Sequence, residues 1–538
     1  MLFKKIIIVA VLITGFPFVM DAQTTGRDKL KEALNAIKLN YVDSMSEQTL
    51  AEAAIKGMFT TLDPHSKYIS KDEALEMKTA MRGNFVGIGI EYMLQNDTVY
   101  LTQILPDGPA EKAGLMTGDR IIKINNETVA GSQLTNMDIL TRIRGQKNTS
   151  VKIELYRPMA RKVLSYEIPR GAVADHSVTA AYMLSSQTGY IAIRIFSQST
   201  RNEVDHALIK LKALGMKQLV LDLQGNGGGY VEAALGVADE FLKRDQLVYY
   251  TVAQDRGKDY YYASASGASW NGPTVVLIDQ STASASEILA GALQDWDRAV
   301  LVGRRSYGKG LTQRPIPLSD GSVLELTGGR LFTPAGRSVQ KPYKGINYQA
   351  DISNRYASGE LFREVSVKHA DSLKFKTLLN KRTVYGGGGI TPDKFVPLDT
   401  LQDASWLRSV AAAGLINDAS WKIADARRQQ IKNIYPDIQA FGADYMVPGN
   451  VVNEVVQAAG QKGIKPPGAK NKKQLLYLLS LEIKAQVAGQ VFMGKEDYLR
   501  IINQENTSIK EALKILQDTH RYTAYLQSKP VDSVDQKN

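Results

Sequence analysis

The stretch QLVLDLQGNGGG, residues 218–229, decides the fold of this 538-residue chain. Its first six residues are mostly apolar and have the length of a buried strand, and the remainder is a glycine-rich loop. A helix is predicted directly afterwards, over 231–242. A buried strand, a short loop and a helix in this order are typical of α/β proteins.

The same alternation recurs on both sides of this stretch. The predicted strands lie at 190–195, 274–278 and 299–302, and the predicted helices lie at 204–214 and 286–294. Runs of four to six apolar residues followed by helical spacing indicate strands that are covered by helices. We therefore predict a mixed-sheet α/β core over residues 171–398.

Other patterns flank this core and give the chain a multi-domain α/β (α+β) organisation. Residues 23–82 show helical spacing of apolar residues, and Pro64 stops a helix there. Residues 83–170 form short apolar strands separated by glycine and proline turns, which predicts a compact β-rich module inserted before the core.

The last region, 399–538, is predicted to be a helical extension. Leucine and isoleucine recur on one face of a helix after residue 474, and 508–511 fits a capping box. A basic, proline-containing linker is predicted at 465–470. No chemistry is predicted in this region.

The first residues predict export. Two lysines precede an apolar run over 6–20, and Asp-Ala-Gln follows, which is the pattern of a signal peptide over 1–22 cleaved after Ala22. The alternative is a membrane anchor. A glycine and a proline interrupt the run, which is also shorter than the ~20 apolar residues of a spanning helix. We expect a periplasmic protein whose membrane association is at most peripheral.

Composition excludes several classes of site. The chain has no cysteine, so disulfides, thiolate metal sites and a cysteine nucleophile are all excluded. Its formal net charge is +11, but the basic residues are dispersed and accompany no nucleic-acid-binding motif. We expect no metal, no cofactor and no nucleic-acid partner.

Three segments at the ends of predicted buried strands carry candidate chemistry: 221–229, 281–288 and 306–313. Because α/β sites form at the carboxyl ends of strands, these segments are expected to converge. Peptide hydrolysis needs a nucleophile, a base and donors for the oxyanion. None of the five histidines lies in these segments, although a distant histidine could still fold into place. The residues therefore favour a serine nucleophile with a lysine base.

Ser284 and Lys309 are the candidates. Lys309 lies between two glycines near the sheet, and burial can lower a lysine pKa from ~10.4 by up to ~3–5 pH units, which makes the amine a base. In an extended strand Gln313 would share a face with Lys309 and could orient it. Ser284 has a second interpretation, in which it is the N-cap of a capping box that Glu287 completes.

Backbone donors for an oxyanion are also predicted. Ala285 is the first residue of the predicted helix, where N–H groups are free, and Gly228 also precedes a helix. Loss of one such donor costs ~10²–10³ in rate.

The β-rich module contains the loop Gly87, Ile88, Gly89 and Ile90 and the stretch GPAEKAGLMTGD, 108–119. On these two features it resembles a PDZ domain of the kind found in bacterial proteases. The resemblance implies that the glycine-rich loop holds the terminal carboxylate of a peptide that adds as a strand to the sheet edge. The alternative is that the glycines only form a bulge.

Taken with this module, the three segments resemble the carboxy-terminal processing, or tail-specific, protease family over roughly residues 30–398. The resemblance implies Ser284 as nucleophile, Lys309 as general base, Gln313 as the residue that orients it, and Gly228 and Ala285 as oxyanion donors. It also extends to LDPHS at 62–66 and GGGITPD at 387–393. The chain departs from the family at Gln224 and Gly227, where arginine and proline are usual, so the Gly228 assignment depends on a changed loop.

These features predict a serine endopeptidase that forms an acyl-enzyme and cuts exported proteins near free carboxyl termini. A homodimer and a regulatory adaptor are both compatible with the sequence. Three alternatives remain. Residues 303–309 approach a P-loop, 225–229 approach a dinucleotide loop, and an exported PDZ scaffold could retain a degenerate protease core.

Overall fold

The computed structural model describes residues 25–253, 257–264, 269–364, 371–398, 404–465, 472–492 and 494–527. The predicted signal peptide and the linker positions from 466 onward lie outside the described residues. The chain divides into two compact units after Asp63. The first contains helices α1 (Gly26–Asn40) and α2 (Glu47–Phe59), which begin at the N-caps Thr25 and Ser46.

This division falls inside the range 23–82 that the sequence assigns to one helical domain, and those bounds stay a prediction. Strand β1 (Lys67–Ile69) follows Pro64 and pairs with a strand of the second unit. Helix α3 (Lys71–Arg82) comes next, with Ser70 and Glu73 forming its capping box. No strand was predicted at 67–69, because three residues are too few for a local pattern and β1 is held by its pairing with the distant strand 323–332.

Residues 84–174 form the predicted β-rich module. Its elements are β2 (Asn84–Gly87), β3 (Ile90–Gln95), β4 (Thr98–Ile104), α4 (Pro109–Ala113), β5 (Arg120–Ile124), β6 (Glu127–Thr128), α5 (Asn136–Ile143), β7 (Ser150–Arg157), β8 (Lys162–Pro169) and β9 (Gly171–Ala174). The main sheet has the order β3-β4-β5-β7-β8, with β6 beside β5, and β2 pairs with β9. Buried aliphatic residues of β4, β5, β7 and α5 form its core.

The chain then builds the predicted α/β core. The elements are β10 (Val178–Met183), β11 (Thr188–Ile193), α6 (Thr200–Ala213), β12 (Gln218–Asp222), α7 (Val231–Ala238), β13 (Leu247–Ala253), β14 (Gly257–Tyr262), β15 (Thr274–Ile278), α8 (Ala285–Asp295), β16 (Val300–Gly303), β17 (Leu311–Pro317), β18 (Val323–Phe332), α9 (Asp351–Ala357), β19 (Lys374–Lys376), β20 (Thr383–Tyr385) and β21 (Lys394–Phe395). A six-stranded sheet has the order β10-β11-β12-β15-β16-β21 and is parallel except between β10 and β11.

A second sheet, which the sequence did not predict, lies beside this one. Its order is β1-β18-β13-β14, with β17 also paired to β18, and every described pairing in it is antiparallel. Strand β17 directly follows the segment that carries Lys309, so this sheet fixes one end of that segment.

The helical extension is formed by α10 (Ala404–Ala412), α11 (Leu415–Ile434), α12 (Ile438–Asp444), α13 (Gly449–Gln461), α14 (Lys472–Phe492), α15 (Lys495–Ile502), α16 (Thr507–Gln517) and α17 (Thr519–Gln527). Helices α10–α15 share a core of their own. The capping box predicted at 508–511 is wrong, because Asn506 is the N-cap and accepts from the N–H groups of Ser508 and Ile509.

Helix α16 covers one face of the six-stranded sheet. Ile509 and Ile515 pack with Val220, Val275 and Val300, while α6, α7 and α8 pack on the opposite face. Strands β12, β15 and β16 are apolar at nearly every position because both faces are covered. The end of the extension is therefore a layer of the α/β core.

Within the described ranges, no helix combines the length and the apolar character needed to cross a membrane. The same residues contain no cluster of three or more His, Asp or Glu side chains arranged to hold a metal ion.

Replacement of Ile515 by alanine tests this layer. The side chain is fully buried, so we expect Ile515→Ala to lower the free energy of unfolding by about 2–5 kcal/mol, through lost transfer energy and the cavity left behind. Urea-induced unfolding followed by tryptophan fluorescence measures the change. Ile209→Ala on α6, where the side chain is 55% exposed, is the control and should change stability by less than about 0.5 kcal/mol. Equal effects would contradict the assignment.

Candidate active site

Ser284 lies on a tight turn between β15 and α8, directly before the first residue of the helix. Its backbone has φ 57° and ψ −116°, a conformation that costs a residue with a side chain about 1–3 kcal/mol and persists only where the surroundings impose it. A strained serine between a strand and a helix exposes its hydroxyl at the end of the sheet. In the described part of the chain the N–H of Ala285 donates no hydrogen bond, so a free donor lies beside this hydroxyl.

Of the two hydrogen bonds of a capping box at Ser284, only the one from the Ser284 N–H to the Glu287 carboxylate is formed. The Glu287 carboxylate accepts from the Ser284 N–H at 2.9 Å. The hydroxyl stands in a capping-box arrangement but forms no side-chain hydrogen bond to the helix end, and the Glu287 N–H donates instead to the Ser284 carbonyl at 2.9 Å. The serine hydroxyl therefore faces the Glu287 N–H in a capping-box arrangement without a side-chain hydrogen bond to it.

The loop after β12 lies against this serine. A Cβ placed on Gly228 would be 2.8 Å from Ser284 Cβ and 2.9 Å from the carbonyl oxygen of Ala283, and φ at Gly228 is 106°, so only glycine fits. The Gly228 N–H, however, donates to Asn226 Oδ1 at 2.9 Å. The structure thus brings Gly228 to the predicted place but directs its N–H toward another acceptor.

Asn226 holds this loop, and sequence reasoning missed it. The side chain is fully buried, and its Nδ2 donates to the Ile193 carbonyl at 2.9 Å. The Asn226 carbonyl accepts from the Ala283 N–H at 3.0 Å and from Ser286 Oγ at 3.1 Å. The loop is therefore fastened to both neighbours of the Ser284 turn.

Asp222 closes the beginning of the same loop. Its Oδ2 accepts from Tyr190 Oη at 2.7 Å, and its Oδ1 accepts from the Gln224 N–H at 2.8 Å. Burial raises the pKa of Asp222 to about 6, because desolvation disfavours the carboxylate more than these donors stabilise it.

Lys309 belongs to a segment between β16 and β17. Burial is the largest cause that lowers the pKa of Lys309, and the cation of Lys67 acts in the same direction, while the carboxylates of Glu325 and Glu287 oppose it. A lysine with a lowered pKa is a stronger candidate for a proton acceptor near neutral pH. The P-loop alternative for 303–309 is wrong, because strand β17 and not a helix follows Lys309.

Glu287 joins the segments of Ser284 and Lys309. Its side chain is fully buried. Beyond the Ser284 N–H, the carboxylate accepts from Ser306 Oγ at 2.5 Å, from the Gly308 N–H at 2.7 Å and from the Lys309 N–H at 2.8 Å. Desolvation nevertheless raises the pKa of Glu287. One carboxylate therefore fixes the backbone of the candidate nucleophile and of the candidate base.

Gln313 does not donate a hydrogen bond to Lys309 from its Nε2 atom in the described part of the chain. Strand β17 begins at Leu311, after Lys309, and its pairing with β18 shifts register between Thr312 and Gln313. The residue left unpaired at this point is Gly328 of β18, so the two-residue period along β17 is not interrupted. Gln313 Nε2 is buried and has no hydrogen-bond partner among the described residues, which includes Lys309. The role of Gln313 stays a prediction.

Comparison with known proteins matches four parts of the chain to family models. Residues 187–352 match peptidase family S41, residues 100–157 match a PDZ domain, and residues 19–73 match the N-terminal domain of the activating protease CtpB. Residues 406–494, in the helical extension, match a family of unknown function.

Curated relatives share the same description. The chain is 36% identical to carboxy-terminal processing protease CtpB of Bacillus subtilis over 59% of this chain and 66% of the relative. It is 32% identical to a carboxy-terminal-processing protease of Bartonella bacilliformis, over 68% of this chain and 83% of that protein. It is 30% identical to CtpA of Bacillus subtilis, over 76% of this chain and 89% of the relative.

This chain belongs to the carboxy-terminal processing protease family. The predicted family, the predicted α/β multi-domain fold class and the predicted class of enzyme, a serine peptidase, are confirmed. The assignments of individual site residues stay predictions.

The PDZ domain presents its glycine-rich loop beside an open sheet edge. Strand β3 is the end strand of its sheet. The Ile88 carbonyl accepts from the Ala110 N–H at 2.7 Å, and the Gly89 carbonyl accepts from the Leu105 N–H at 3.0 Å. In the described part of the chain the N–H groups of Ile88 and Gly89 donate no hydrogen bond. Such a loop and edge have the geometry that receives a terminal carboxylate and an added strand.

Replacement of Glu287 by glutamine tests whether its carboxylate holds the Ser284 and Lys309 segments together. Each oxygen of Glu287 accepts two hydrogen bonds, so an NH₂ group in either position faces two donors. We expect a loss of about 1–3 kcal/mol of stability for each buried donor left without an acceptor, and a strong loss of peptidase activity. Glu73→Gln is the matched control, because Glu73 is the capping-box residue of α3 and glutamine serves there equally well. A stable, fully active Glu287→Gln enzyme would contradict the role.

Proposed function

We propose that this chain is an exported serine endopeptidase that cuts proteins near their carboxyl termini with Ser284 and Lys309 as a catalytic dyad. The observation that carries the proposal is the strained Ser284 turn joined to the Lys309 segment by the buried Glu287 carboxylate. The lowered pKa of Lys309 and the free N–H of Ala285 support the same chemistry.

The reaction begins with proton transfer from the Ser284 hydroxyl to the neutral amine of Lys309. The serine oxygen attacks the peptide carbonyl, and the Ala285 N–H donates to the oxyanion that forms. Lys309 then gives its proton to the leaving amine, which leaves an acyl group on Ser284. Water, deprotonated by Lys309, releases the acyl group as a carboxylic acid and restores the serine.

Two positions are assigned a supporting role. Gly228 is proposed as the second oxyanion donor, which requires its N–H to leave Asn226 Oδ1 when substrate binds. Gln313 is proposed to orient Lys309 in the substrate complex, where its buried Nε2 atom would gain a partner. Catalytic hydrogen bonds commonly tighten only when substrate is present.

Substrate selection is assigned to the PDZ domain. A free terminal carboxylate would be held at Gly87, Ile88, Gly89 and Ile90, with the substrate chain pairing along β3. Substrates are therefore proteins and peptides with accessible carboxyl ends. Residues 1–22 support export, so we propose that these substrates are periplasmic.

The test of the dyad is cleavage of unfolded casein by the mature chain, beside Ser284→Ala and Lys309→Ala. The proposal requires that the native enzyme cuts and that both variants lose at least about 10³-fold in rate. Persistent cutting by Ser284→Ala would show another nucleophile. A native enzyme that binds peptides but never cuts would favour the scaffold alternative, in which the PDZ domain alone is active.

The rate should rise with pH through the pKa of Lys309, because only the neutral amine accepts a proton. The Glu325 carboxylate raises this pKa and the Lys67 cation lowers it. We therefore expect Glu325→Gln to move the acidic limb of kcat/KM to lower pH and Lys67→Met to move it to higher pH. Profiles of kcat/KM against pH with a peptide lacking titratable groups near the cut measure both shifts. Shifts of the same sign would contradict Lys309 as the base.

Amidation of the substrate terminus tests the PDZ assignment. An amide removes the anion that the loop N–H groups would bind, so kcat/KM should fall about tenfold or more while the cut site stays the same. The comparison uses one peptide in its free and amidated forms. Gly89→Ala in the PDZ loop, where φ is 80°, should remove the difference between the two. Equal rates for both peptides with the native enzyme would exclude capture of the carboxylate.

A further inference from the structure

Gln224, one of the two departures from the family pattern, contacts the helical extension. Its Oε1 accepts from Asn506 Nδ2 at 3.2 Å, and its Nε2 donates to Ser508 Oγ at 3.4 Å. Gln224 begins the loop that ends at Gly228, against the Ser284 turn. The extension therefore reaches the candidate oxyanion loop through a reciprocal pair of side-chain hydrogen bonds.

The point of contact on the extension is firmly held. Asn506 is the N-cap of α16, and the same side chain that donates to Gln224 accepts from two N–H groups of the helix. Helix α16 in turn is packed on the six-stranded sheet through Ile509, Ala512 and Ile515. The first turn of α16 is thus a fixed support beside the loop.

The other end of the extension holds the PDZ domain. Arg120 of β5 donates to both carboxylate oxygens of Asp425 on α11, at 3.1 and 2.6 Å, and its guanidinium also lies over the Trp421 ring. Both charged side chains are mostly buried, at 15% and 22% exposure, so this pair is stronger than an exposed ion pair. On the edge strand β3, Gln95 donates to Asp418 at 2.6 Å.

Helix α15 contacts both the PDZ domain and the core sheet, through two adjacent residues at its start. Lys495 binds Glu91 of β3 at 2.6 Å, while the next residue, Glu496, accepts from the Ala181 N–H of the core sheet at 3.0 Å. About two turns later, at the C-cap of the helix, Asn503 donates to Tyr182 Oη at 3.1 Å. The same helix therefore touches the strand that receives the peptide and the sheet that carries the active site.

We propose that helices α11–α16 are a brace that fixes the PDZ edge strand β3 and the Gln224 end of the oxyanion loop on one rigid element. This assigns a role to the region that matches a family of unknown function. The catalytic part of the inference rests on the proposed Ser284–Lys309 function. The structural part, the fixed position of the PDZ domain, does not.

The loop contact is tested by Asn506→Ser. Serine keeps the N-cap of α16 but is too short to reach Gln224. We expect kcat to fall about tenfold with KM unchanged, because a loosened oxyanion donor acts mainly on the transition state. Asp437→Ser is the matched control, since Asp437 caps α12 and the exchange again preserves a cap. An unchanged kcat in Asn506→Ser, or an equal loss in both variants, would overturn the loop contact.

The PDZ contact is tested without an activity readout. Because the chain has no cysteine, Val163→Cys on β8 and Leu214→Cys beside α6, both exposed, allow two spin labels to be placed on the full chain. The native chain should give one narrow distance distribution. Arg120→Asp and Asp425→Arg should each broaden it at least twofold, and the double reversal should narrow it again. Distributions that stay narrow in both single variants would overturn the brace, even if the enzyme never cuts a substrate.

Discussion

The buried Glu287 carboxylate is the interaction on which the geometry of the site depends. A carboxylate removed from water loses several kcal/mol of solvation, and only a full set of donors offsets that loss. Glu287 has such a set: three backbone N–H groups and one hydroxyl, drawn from the Ser284 turn and from the segment that ends at Lys309. Two segments that are far apart in sequence are thereby held in one register.

The position of this anion also bears on the base. A negative charge near Lys309 raises its pKa, and a raised pKa would leave the amine protonated. Among the causes acting on Lys309 the Glu287 charge is the smallest, and burial is the largest. The carboxylate binds the Lys309 backbone N–H, so the same group can fix the segment while desolvation lowers the pKa of the amine and favours its neutral form. An ion pair between the carboxylate and the side-chain amine would instead raise the pKa of Lys309 and favour the protonated amine.

The sequence predicted the parts of the fold whose patterns are local. The strand–helix alternation from Thr188 to Gly303 follows directly from apolar runs and helical spacing. The second sheet was missed because short strands such as β1 depend on partners distant in sequence. The layer formed by α16 was missed for a related reason. Strands β12, β15 and β16 are apolar on both faces and so require two layers of helices, but periodicity does not say which helices supply the second.

The candidate site shows the same difference between features with a local sequence pattern and features that depend on contacts between distant residues. Ser284, Lys309 and the two glycine-rich loops could be proposed from the sequence because small residues and nucleophiles stand out at strand ends. Glu287 was noticed only as a capping residue, since the spacing of a capping box carries no information on what lies beyond the helix end. The role of Gln313 stays a prediction, because strand alternation places side chains on one face but does not specify their hydrogen-bond partners.

The contact between the oxyanion loop and the helical extension explains both positions, Gln224 and Gly227, at which this loop departs from the family pattern. A Cβ at Gly227 would meet nothing within 4 Å, so packing does not require glycine there, and its presence gives the loop backbone more freedom than proline would. A looser loop needs support from outside. Asn226 supplies it at the active-site end, and the Gln224 pair with the first turn of α16 supplies it at the other end. Glutamine suits this contact because its amide both accepts and donates, whereas arginine could only donate. The change at Gln224 therefore replaces a positive charge with a group that matches Asn506 and Ser508. The loop geometry comes to depend on a helix whose N-cap lies 282 residues later in the chain.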